Sequence, residues 1–123
     1  MNDIIFNWLR GYPGMELLQR QQVDAVPGGC GLFFRGVTAQ DGQRNLLGQT
    51  QKRKTLHFRL NRYGDRVDSP AFFMMLEVWL QTNIHSLGPD YAATLKNSRC
   101  VRDNDSGLCL WEAELEIICR EEV

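Results

Sequence analysis

The 123-residue sequence predicts an α+β fold, one domain in which a mixed or antiparallel sheet is packed by a single main helix. Three stretches carry this expectation. TLHFRLNRY alternates apolar and polar residues with the period of a strand, SPAFFMMLEVWLQ carries a broad apolar stripe at helical spacing, and LWEAELEIICR returns to period two. A chain of this size buries about two-thirds of the surface its unfolded form exposes, enough for one core.

The elements follow in order. In NDIIFNWLRGYPG, Asn2 or Asp3 can cap a short helix, Ile4, Ile5, Trp8 and Leu9 recur at helical spacing, and Gly11 with Pro13 ends it. From Met15 to Val26 neither period is clear. The VPGG turn and the apolar run CGLFFRGV predict two strands there, joined as a hairpin. Residues 38–54, TAQDGQRNLLGQTQKRK, hold two glycines, four glutamines and few apolar residues, and read as a flexible loop or protruding arm. In the strand that follows, Leu56, Phe58 and Leu60 face the core and Thr55, His57, Arg59 and Asn61 face away.

For the main helix, Ser69 is placed to cap and Pro70 sits at the favoured first position. Phe72, Phe73, Leu76, Trp79 and Leu80 make its buried stripe, and Gly88 and Pro89 stop it. The chain ends in a C-terminal hairpin, KNSRCVRD and LCLWEAELEIICR, joined by NDSG at 104–107. That turn places Asp103 opposite Leu108, Arg102 opposite Cys109 and Cys100 opposite Trp111. Cys100, Cys109, Trp111, Ala113, Leu115, Ile117 and Cys119 then share the core face. A helix over the same residues would scatter these apolar side chains and stack Glu112 on Glu116, so the strand is preferred.

The apolar fraction of 43%, charged fraction of 24% and formal net charge of -1 are those of an ordinary globular protein, with no global bias toward nucleic acid. No apolar run approaches the length of a membrane span, and the N-terminal stretch lacks the basic start and cleavage site of a signal peptide. The expected location is the cytosol or an assembly built there. Four cysteines without a CxxC pair, and only two histidines, predict neither a zinc site nor disulfides; the thiols read as core packing.

Two charge constellations stand out. Glu112, Glu114 and Glu116 lie on one face of a strand, about 7 Å apart between neighbours, close to the carboxyl separation of an inverting glycosidase. A uniformly acidic strip lacks the asymmetry that gives one acid its proton, so the row reads as a solvated or subunit-facing surface. It could also meet a basic segment such as Lys52 to Lys54. The second constellation is basic: Lys52, Arg53, Lys54, Arg59, Arg62 and Arg66. It can attract phosphate or pair with carboxylates of neighbouring strands and subunits, and the near-neutral total favours pairing. The sequence holds no GxSxG, phosphate-cradling loop or HExxH, and no catalytic, metal or cofactor residue is assigned.

The layout, together with FNWLRGYP, VPGG, LHFRLNRYGD, SPAFFMMLEVWLQ and the final LWEAELEIICR, resembles the minor capsid or tail-completion proteins of long-tailed phages and prophages, a family similar to the lambda tail terminator. The resemblance spans nearly the whole chain. It implies a structural virion protein without enzymatic activity that assembles as a homo-oligomeric ring, typically a hexamer. The ring would cap the tail tube at the head–tail junction, between tube protein and head–tail connector, with DNA passing through its lumen. Lys52, Arg53, Lys54, Arg59 and the three glutamates are then the candidate subunit and partner contacts. The competing reading is a bacterial small-molecule-binding or regulatory domain, and a third is a small hydrolase using the glutamate row.

Overall fold

A computed structural model describes residues 2–44, 50–103 and 108–122. The chain runs α1 (Asn2–Leu9), β1 (Gln19–Arg20), β2 (Cys30–Arg44), β3 (Thr50–Gly64), α2 (Asp68–Asn83), a 3-10 turn (Ile84–Ser86), β4 (Tyr91–Asp103) and β5 (Cys109–Glu122). The five strands form one sheet in the order β1-β2-β3-β5-β4. All pairs are antiparallel except β1 with β2. The single α+β domain expected from periodicity is therefore the fold.

One sheet face makes the core. Leu32, Leu56, Phe58, Leu60, Ala93, Leu95, Ala113, Leu115 and Ile117 are buried there with Ile5, Phe6 and Leu9 of α1 and Phe73, Leu76 and Leu80 of α2. Leu60, Leu76, Leu80 and Ile117 have no exposed surface. The two helices meet through aromatics: Trp8 and Trp79 lie 5.0 Å apart, and Tyr12 sits edge-on to Phe72 at 5.3 Å. Polar ends of these rings are satisfied, because Trp8 Nε1 donates to the Asn83 carbonyl at 3.3 Å and Tyr12 Oη to the Phe72 carbonyl at 3.2 Å.

Four local expectations are corrected. The strand before the VPGG turn is only two residues long and pairs parallel with β2, so it is not half of a hairpin. Residues 22–24 instead pass over the outer side of β2: a Cβ on Gly31 would lie 2.1 Å from the Gln22 carbonyl oxygen. Glycine at 31 permits this close approach of two backbones. Asn61, opposite Gly31 on β3, is buried beneath the crossing.

The supposed loop at 38–54 is, over its described residues, paired strand. Thr38 to Asp41 stand opposite Thr55 to Lys52, and β5 pairs along the other side of β3 as far as Gln51 with Glu122. Backbone pairing with a neighbour on each side of β3 outweighs a composition poor in apolar residues. The centre of the arm, 45–49, lies outside the described residues, as does the NDSG turn at 104–107.

Ser69 does not cap α2. Asp65 does, accepting from the backbone N–H of Asp68 at 2.6 Å and of Val67 at 3.0 Å. These bonds, that from Asp68 foremost, hold the Asp65 carboxyl below its ordinary range. Ser69 is fully buried inside the first turn, where its Oγ accepts from Arg62 Nη1 at 2.9 Å.

In the C-terminal hairpin Cys100 does oppose Trp111, but Cys109 opposes Asp103 rather than Arg102, because β4 is irregular between Cys100 and Arg102. Cys100 is exposed, while Cys30, Cys109 and Cys119 are buried and all four are free thiols. A thiol reagent is expected to modify one cysteine, Cys100, in the native protein, with the other three reacting only on unfolding. Mass spectrometry of partially labelled native protein checks this, and early modification of Cys30 would contradict it.

Burial pushes the Cys30 thiol up from 9.0 to about 11. The folded state thus holds this proton more tightly than the unfolded chain. Its contribution to stability is intact below the ordinary thiol range and is lost as pH climbs from about 9 through about 11. A shift of this size corresponds to about 2–3 kcal/mol across that window. Urea titrations at successive pH values should show a shallower alkaline decline in Cys30→Val than in the parent.

Candidate functional site

The outer sheet face is built by strand alternation. With Ala113, Leu115 and Ile117 turned into the core, Glu112, Glu114 and Glu116 must point the other way, as expected. β5 lies between β3 and β4, so each glutamate has a residue on both sides: Asn61 and Arg99 flank Glu112, Arg59 and Lys96 flank Glu114, and His57 and Thr94 flank Glu116. The row is central in the sheet.

Two of its charge contacts run directly across the ladder and two run diagonally. Glu112 takes Arg99 Nη2 at 3.2 Å and Arg59 Nε at 3.9 Å, and Glu116 takes Lys96 Nζ at 2.9 Å and His57 Nδ1 at 3.7 Å. Glu114 accepts from Asn97 Nδ2 at 3.0 Å. The hydrogen bond and charge of Glu116 raise Lys96 above its ordinary lysine range. Arg59 is held further by the Phe33 ring, 4.5 Å below its guanidinium, and by Asn61 Oδ1, which accepts from its Nε at 2.9 Å. His57 Nε2 lies 2.9 Å from Thr38 Oγ1. Asn61 in turn donates from Nδ2 to the Trp111 carbonyl at 3.3 Å, tying β3 to β5 beneath the charge layer.

A shallow depression of about 230 Å³ lies over this face, lined by Arg35, His57, Arg59 and the three glutamates. Its chemistry is that of alternating fixed charges. Glu112 is engaged by two arginines and Glu116 by Lys96 and the His57 ring, whereas a general acid needs an apolar environment that retains its proton. Solvent-exposed pairs of this kind add little stability, so the lattice fixes strand register and surface pattern more than it holds the fold together.

The structure brings Arg59 and the three glutamates together and leaves Lys52, Arg53 and Lys54 elsewhere. Those three stand opposite Glu121, Arg120 and Cys119, at the far end of β3, so the idea that Lys52 to Lys54 face the glutamate row is corrected. Arg53 is exposed and its cross-strand neighbour is another cation. The side chain of Lys52 lies outside the described residues.

Sequence reasoning passed over a second surface, the far side of α2. Met74, Met75 and Val78 are 69%, 65% and 66% exposed, and Val67 just before the helix is 82% exposed. After Asp68 the sixteen-residue helix carries a single charge, Glu77. The signal was present in FFMMLEVWL, which is apolar on both faces, but a stripe chosen for the core absorbed it. Arg62 was also seen only as part of a basic strip. It lies over the Phe72 ring at 4.3 Å beside Ser69, with its Nε buried and unpartnered, at the seam between β3 and α2.

Among the described residues, no group of three or more His, Cys, Asp or Glu side chains is placed to hold a metal ion. No helix among them is long and apolar enough to cross a membrane. Comparison with protein-family models and with curated proteins finds no match to this chain.

Proposed function

We propose that this chain is a structural assembly subunit of the phage or prophage tail-completion kind, a component of a homo-oligomeric ring that caps the tail tube at the head–tail junction. The supporting observation is the bare apolar face of α2. Apolar side chains clustered on the outer side of a helix are normally covered by a partner, and Met74, Met75 and Val78 have no cover within the described chain. A neighbouring subunit supplies that cover. The phage setting itself follows from the sequence resemblance, which also names tube protein and connector as partners and DNA as the passenger in the lumen.

The charged outer face suits the same role. Paired in place within one subunit, Arg59 and the glutamates present a fixed pattern of charge that selects a partner orientation without driving association. The reading gives the chain no catalytic task.

Multi-angle light scattering behind size exclusion tests it, with a concentration-dependent rise to a discrete multiple of the 14.2 kDa chain expected. The double variant Met75→Glu, Val78→Lys should shift the population to monomer by at least tenfold in dissociation constant, with the far-UV circular dichroism of the subunit unchanged because both side chains face away from its own core. A parent protein that stays monomeric at high micromolar concentration would sink the proposal.

One feature favours a second reading, a small-molecule-binding domain. A cleft of about 240 Å³ between α1 and the sheet is lined by Phe6, Leu32, Phe34 and Phe58, with Asp3 and Arg20 ion-paired at its rim. It is smaller than the 300–1,000 Å³ typical of ligand pockets. A thermal-shift screen of metabolites showing saturable stabilisation, lost in Phe34→Ala, would move the assignment there.

A further inference from the structure

The two edges of the sheet are treated differently. The β4 edge is defended: its ladder is broken between Lys96 and Arg99 and again between Cys100 and Arg102, Asn97 has a positive φ of 57°, and the Gln81 amide donates to the Ala93 carbonyl at 2.8 Å. Lysines, irregularities and covering side chains are the usual means by which an edge is closed to other strands.

The β2 edge is not closed in this way. β1 covers only Gly31 and Leu32, and among the described residues no strand lies beyond β2 from Phe33 onward. Between the irregularity at Phe34/Gly36 and that at Asp41/Arg44, the ladder to β3 is regular from Gly36 to Asp41. That run reads GVTAQD, without proline or lysine, and Val37, Thr38 and Ala39 are exposed. Among the described residues, alternate backbone N–H and C=O groups on its outer side have no strand to bond.

Charge selects the occupant. The paired ribbon of residues 35–44 and 50–54 carries five cations, Arg35, Arg44, Lys52, Arg53 and Lys54, against one carboxylate, Asp41. The glutamates that follow on β5 lie across β3 from the open edge. A second copy of the chain has no suitable strand to give: its acidic strand, β5, is enclosed between β3 and β4, and its two edges bear Arg35 or Lys96, Arg99 and Arg102. We infer that the β2 edge, over Gly36 to Asp41, is a docking site for an extended acidic segment of a different protein. That segment adds a sixth strand through backbone hydrogen bonds and sets its carboxylates against the basic ribbon. The site is separate from the α2 face used for subunit packing above.

The test uses fluorescence anisotropy on the intact chain. The probe is a labelled octapeptide alternating glutamate with valine or threonine. The comparisons are the same peptide with lysine for glutamate, the acidic peptide N-methylated at alternate backbone nitrogens, and a labelled oligo-dT. Saturable binding of the acidic peptide is expected, at least tenfold tighter than either altered peptide and weakened at least tenfold by Arg35→Glu with Arg53→Glu. Hydrogen exchange should show new protection confined to 36–41.

No binding of the acidic peptide overturns the inference. Equal binding of the N-methylated peptide overturns it in favour of plain ion exchange, equal binding of the lysine peptide removes the charge argument, and tighter binding of oligo-dT reassigns the ribbon to nucleic acid. Peptide binding does not depend on oligomeric state. A monomeric chain that takes the peptide would defeat the ring and keep the edge, and a ring that ignores it would do the reverse.

Discussion

Leu115→Ala is expected to lower the free energy of unfolding by about 3–4 kcal/mol, within the range for emptying a fully buried leucine site. Leu115 is 1% exposed and lies on the inner face of β5, an interior strand, between Phe58 on β3 and Leu95 on β4, both buried. Strands on both sides prevent the backbone from closing on the cavity, so the loss should approach the upper part of the range rather than relax away. Urea denaturation followed by far-UV circular dichroism reads it as a lower midpoint at unchanged slope, and Tm should drop by roughly 10–15 °C. Leu110→Ala, on the half-buried outer face of the same strand, is the control and should cost less than about 1.5 kcal/mol. Equal losses at the two positions would mean that the outer face is as tightly packed as the core.

Gly31→Ala should cost about 3 kcal/mol or more, although it adds only one methyl group. The new Cβ would lie 2.1 Å from the Gln22 carbonyl oxygen and 2.8 Å from Val23 Cβ, and the nearer contact is backbone that cannot swing aside like a long side chain. Relief requires lifting residues 22–24 off β2. That exposes Asn61 and strains the bonds that hold the crossing segment, from Gln21 N–H to the Leu32 carbonyl at 2.9 Å and from Gly28 N–H to the Tyr63 carbonyl at 2.8 Å. Gly36→Ala is the comparison: its Cβ meets nothing within 4 Å, but its φ of 140° carries a backbone penalty of its own, about 1–3 kcal/mol. A Gly31→Ala protein as stable as the parent would show that the crossing is not packed as described. Hydrogen exchange should place the lost protection at residues 21–29 and 61.

The two substitutions mark where sequence reasoning reaches and where it stops. Leu115 was identifiable as core because period two in LWEAELEIICR admits one assignment of faces, and the same alternation put Glu112, Glu114 and Glu116 outside. Gly31 carried no such signal. Its constraint comes from a backbone that passes over it nine positions away in sequence, and nothing in CGLFFRGV reports that crossing.

The candidate site divides in the same way. Arg59 was legible as an outward residue of its strand, yet its engagement with Glu112 depends on β3 lying beside β5 in a register the chain does not state locally. Lys52 to Lys54 looked equally available to the glutamates, and only the register showed them to be beyond reach. The arm at 38–54 was misread for a related cause. Composition measures what a segment can bury alone, whereas a strand with pairing partners needs no apolar side chains to satisfy its backbone.

By itself the sequence determined the α+β class, the core helix, the long inner strand, the C-terminal hairpin and the outward direction of the glutamates, because periods of 3.6 and 2 are local properties of side-chain placement. Tertiary structure alone decided the parallel placement of β1, the exposure of Cys100, the partners of each charge and the contrast between a closed β4 edge and an open β2 edge. Those features arise from which strands become neighbours and where a bulge shifts their register, and both depend on contacts between residues far apart in the chain.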